Sequence, residues 1–81
     1  MSTDSKILEI SNDIADKVAG LLNRFTAGPR DPEAFRELCR ELSAHAEDAS
    51  NMRLHGLAAM IRHHDVMYRE WYFVNFKSPM P

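Results

Sequence analysis

Side chains capable of chemistry are few in this sequence, and their spacing suits no joint task. No two of the four histidines stand three or four residues apart, the interval that would aim two imidazoles from one helical face at one metal ion. The adjacent His63 and His64 point about 100° apart on a helix. Glu41, His45 and Asp48 do share a face, but an exposed group of that kind is ordinarily a solvated ion pair. The single Cys39 falls among Phe35, Leu38 and Leu42 on an apolar stripe, with no histidine spaced to act as its base. The residues therefore predict no metal site, no cofactor and no enzymatic activity. His64 lies among Leu57, Ile61, Tyr68 and Trp71, so its imidazole is expected in the core with a hydrogen-bond partner, either Tyr68 or a carboxylate of the first helix.

The chemistry the chain does offer is apolar association. Five of its seven aromatic residues fall in the last fourteen positions, and Trp71, Tyr72, Phe73 and Val74 are consecutive. On a helix four adjacent large side chains cover every face, more than a small domain can bury against itself. Val66, Met67, Trp71, Tyr72, Phe73 and Phe76 are accordingly the candidate residues for binding another protein, since Trp and Tyr bury large rigid surfaces and Met adapts to irregular ones. If the segment from Trp71 to Phe76 instead leaves the helix as a strand, it needs a partner's edge.

Size and charge narrow the classes further. Eighty-one residues form one domain, residues 1–81, and a chain this short is marginal without a staple. A lone cysteine excludes a disulfide within the chain, which leaves association with another chain or unusually regular helix packing, and the aromatic tail makes association the more economical solution. The net charge of −2 disfavours nucleic acid and anionic membranes as partners. A DNA-binding helical regulator is the alternative reading, set back because Arg62 and Arg69 share their face with Asp65; a purely structural domain is another. The opening residues lack the pattern of a secretory signal and no apolar run approaches the ~18–20 residues of a membrane span, so a cytoplasmic setting is expected.

The elements that must position these residues are helices. Ile7, Ile10, Ile14, Val18, Leu21 and Phe25 recur at steps of three and four and predict a helix over about 4–27, capped by Thr3, Asp4 or Ser5 and closed by a left-handed Gly28 before Pro29. Asp31, Pro32 and Glu33 form a clear start for a second helix over about 32–47, with a break in the polar stretch Glu47 to Asn51. A third helix over about 51–75 precedes a tail, 76–81. Its main arc is Leu54, Leu57, Met60, Ile61, His64, Tyr68, Trp71 and Tyr72, opposed by polar Arg62, Asp65 and Arg69. Met52, Ala59, Val66 and Phe73 form a second seam at steps of seven, which three helices have no need of. The fold expected is an all-α, three-helix antiparallel bundle with a long C-terminal helix, packed as a homodimer through that seam. Its expected role is that of a small regulator or adaptor.

Overall fold

The computed structural model describes the backbone of residues 2–78 and the side chains of residues 5–78. Three helices follow one another: α1 Ser2–Ala27, α2 Pro32–Asn51 and α3 His55–Phe76. The segment Trp71 to Phe76 is helical, and no strand occurs among the described residues.

Each boundary has a local cause. Asp31 holds an extended backbone and accepts a hydrogen bond from the Ala34 amide at 2.8 Å, with Pro32 and acidic Glu33 in the first turn, as the residue types require. Three expectations are corrected. α1 already begins at Ser2, so Ser5 stands inside it rather than at its cap; the Thr3 and Asp4 side chains lie outside the described residues, as do positions 79–81 of the tail. Gly28 is not left-handed. It closes α1 by donating to the Arg24 carbonyl at 3.1 Å, and a Cβ there would sit 3.3 Å from the same oxygen, so its smallness is what is used. The break between α2 and α3 comes later than Glu47 to Asn51. The small Ala46 and Ala49 keep α2 packed through that polar stretch, and the reversal is made by Arg53 at φ 64°. There the Leu54 amide donates to the Ala49 carbonyl at 2.8 Å and Arg53 to Ser50 at 2.9 Å, the backbone pattern usually given to glycine.

The core runs from Ile14, Val18, Leu21 and Phe25 of α1 through Phe35, Leu38, Leu42, Ala46 and Ala49 of α2 to Ala58, Ile61 and Tyr72 of α3. α2 and α3 form the principal pair, and α1 packs chiefly on α2. Early positions of α2 meet late positions of α3: the Phe35 ring stands 5.6 Å from that of Tyr72 and 5.8 Å from that of Phe76. Toward the α2–α3 turn the buried contacts are made by alanines, whose small side chains let two backbones come close. The stripe of α1 outruns this core, leaving Ile7 and Leu8 exposed. The result is elongated, with extents of 50 × 22 × 13 Å and a radius of gyration of 14.1 Å, against about 12 Å for a compact chain of this length.

Candidate functional site

α3 buries one side and presents the other. Ala58, Ile61 and Tyr72 are enclosed, with Leu54, Leu57, His64, Asp65 and Tyr68 half-buried around them. On the opposite side Met60, Val66, Met67, Phe73 and Val74 are 48, 53, 49, 54 and 70% exposed. A helix rotates by about 100° per residue, so these five divide into two ridges. One ridge is Ala59, Val66 and Phe73, and the other is Met60, Met67 and Val74; His63 and Glu70, both exposed, run along the line between them. α3 is thus apolar on two opposed sides, and only one of them meets the protein's own core.

The six candidate binding residues fall into two groups. Val66, Met67 and Phe73 stand on the outward face. Trp71, Tyr72 and Phe76 belong instead to an aromatic cluster at the end of the bundle, centred on Phe35 in the first turn of α2. Phe35 meets Trp71 edge-on at 5.6 Å and Phe25 at 4.9 Å, and Tyr72 and Phe76 lie 4.7 Å apart. Tyr72 is turned inward and supports the cluster from beneath, while Trp71 and Phe76 each keep about a third of their surface open. Arg30 places its guanidinium carbon 5.2 Å from the Trp71 ring centroid, a cation–π contact. Arg30, Phe35, Trp71, Asn75 and Phe76 line a shallow cleft there. Of the seam, Ala59, Val66 and Phe73 are in line on α3, whereas Met52 lies in the preceding turn, exposed but off the helix.

One polar cluster was not legible as such. Asp65 does not share the solvent side with Arg62; it turns toward α2, beside Cys39, and pairs with Arg69 at 3.1 Å. Burial, then the hydrogen bond and negative charge of Asp65, push the Cys39 thiol up to about 12, with Arg69 acting in the opposite direction. The thiol is held protonated and enclosed, the reverse of what a nucleophile requires. A signal was present in the sequence, because Asp65 stands seven residues from Tyr72, which belongs to the main apolar arc of the third helix.

His64 sits at the edge of the core, half-buried, and no hydrogen bond from its ring occurs among the described residues. Glu41 and His45 are half-buried and Asp48 is exposed. Among the described residues no group of three or more His, Cys, Asp or Glu side chains could hold a metal ion, and no helix is long and apolar enough to cross a membrane. Comparisons with protein-family models, with curated proteins and with solved structures return no match.

Proposed function

We propose that this chain is a small non-enzymatic protein-interaction module, an antiparallel three-helix bundle that works as a homodimer. In this reading it is a regulator or adaptor that binds another protein through the aromatic-rich end of α3. The observation that carries the reading is the two-sided apolar character of α3, with Phe73 and Val74 more than half exposed while Tyr72 between Trp71 and Phe73 is locked in the core. A surface held rigid from behind loses little conformational freedom on binding, which favours association. The open edges of Trp71 and Phe76 are suited to anchoring a partner at the bundle's end. A lone thiol enclosed in the core fits a reducing cytoplasmic setting.

Affinity capture from the native cell tests the reading. Phe73→Ala/Val74→Ala is the apt variant, because both positions are exposed and the core is left intact, whereas Trp71→Ala would also remove packing against Phe25 and Phe35. The variant is expected to keep its helical circular dichroism and lose the proteins that the wild type captures, a second copy of the chain among them. Full retention of those proteins by the folded variant would count against this surface.

A further inference from the structure

Resting on the homodimer reading, we infer that the second copy seats on the outward face of α3 through an antiparallel α3–α3 contact whose two-fold axis passes between Val66 and Met67, so that Phe73 and Val74 are covered by that copy and the open edges of Trp71 and Phe76 are left for another protein. The two ridges are self-complementary in that register. A two-fold between antiparallel helices brings each flank against its own counterpart. Along one flank Ala59 then stands opposite the partner's Phe73, small against large, and Val66 faces its own copy. Along the other, Met60 meets the partner's Val74, and Met67 faces its own copy. The line between the flanks pairs His63 with the partner's Glu70 at both ends, so the two polar side chains on an otherwise apolar strip receive each other. Neither is engaged in an ion pair or hydrogen bond among the described residues of one copy.

Charge supports a second copy in particular. Across residues 55–76, Arg62 and Arg69 balance Asp65 and Glu70, so two copies of α3 approach without net repulsion. The protein exposes 5649 Å², whereas a folded monomer of this mass exposes about 5,000 Å². The excess is shared between the projecting first turns of α1, where Ile7 and Leu8 are exposed, and the outward ridges of α3.

Sedimentation of the full chain between about 1 μM and about 1 mM tests the inference. The wild type is expected to be dimeric in the upper part of that range, and a monomer throughout would overturn both the homodimer reading and this register. If it dimerises, Val66→Asp and Val66→Lys distinguish the two, because a residue facing its own copy brings like charges together. Each variant is expected to dimerise at least about 100-fold more weakly, and an equimolar mixture of the two to regain the dimer. Val66 is exposed, so both should stay helical. Unchanged dimers of the single variants, or no recovery on mixing, would overturn the register while leaving the homodimer in place. The polar line gives an independent check: His63→Glu should weaken the dimer by setting carboxylates against Glu70, and His63→Glu/Glu70→Lys should restore it. Equal weakening by the single and double variants would likewise overturn the pairing.

Discussion

Arg53 occupies a left-handed backbone conformation, φ 64°, that costs a residue with a Cβ about 1–2 kcal/mol. Glycine holds it without that penalty but loses more freedom on folding, so Arg53→Gly should stabilise the domain by about 0.5–1 kcal/mol, read as a higher urea midpoint. A lower midpoint would mean that the arginine side chain supports the turn. Cys39 makes a second prediction at this scale. With its thiol pushed up to about 12, the native protein should resist thiol reagents at neutral pH and become reactive only on unfolding. Below the ordinary thiol value, near 9, both states hold the proton and nothing changes. From about 9 to about 12 only the unfolded chain ionises, so stability should fall through that window. Comparing Cys39→Ala with the wild type by urea titration at several pH values isolates the effect, since the variant should lack that part of the decline.

Among the elements, α1 divides into a structural half and a projecting half. Val18 and Leu21 are buried, and either change to Ala should cost about 2–4 kcal/mol; Ile7→Ser and Leu8→Ser should cost less than about 0.5 kcal/mol in a single copy. A large loss from Ile7→Ser would show that something covers the first turns of α1. Phe35 is the hub of the aromatic cluster, so Phe35→Ala should remove about 3–5 kcal/mol, enough to unfold a domain this small. The helices and most of the core were legible because steps of three and four expose the stripes of α1 and α2 directly. Periodicity cannot show where a stripe outruns its partner. Ile7 repeats the pattern of Ile14 and Val18 yet lies past the core, a matter of relative helix length and stagger. The turn at Met52–Leu54 was hidden for a related reason. Arginine carries no turn signal, and the polar residues before it were taken into α2 by Ala46 and Ala49. The outward face of α3 was half legible: the seam of Ala59, Val66 and Phe73 stands at steps of seven, but the second ridge of Met60, Met67 and Val74 emerged only once the buried side was known.

Across the whole molecule, large rings gather at one end and alanines at the other. Phe25, Phe35, Tyr68, Trp71, Tyr72 and Phe76 close the end where α1 stops and α3 finishes, while Ala46, Ala49 and Ala58 hold the α2–α3 pair near its turn. Each ring buries several times the area of an alanine methyl, so local opening should cost least at the alanine end and along the first turns of α1. Amide hydrogen exchange is expected to be fastest there and slowest around Phe35 and Tyr72, and uniform protection would contradict this gradient. A practical consequence concerns the chain's sole indole. Trp71 is bedded at the tighter end, so its emission on heating reports the last region to melt and is blind to earlier fraying. Ellipticity at 222 nm should therefore begin to decline at a lower temperature than the Trp71 signal, and a stability taken from fluorescence alone would flatter the protein.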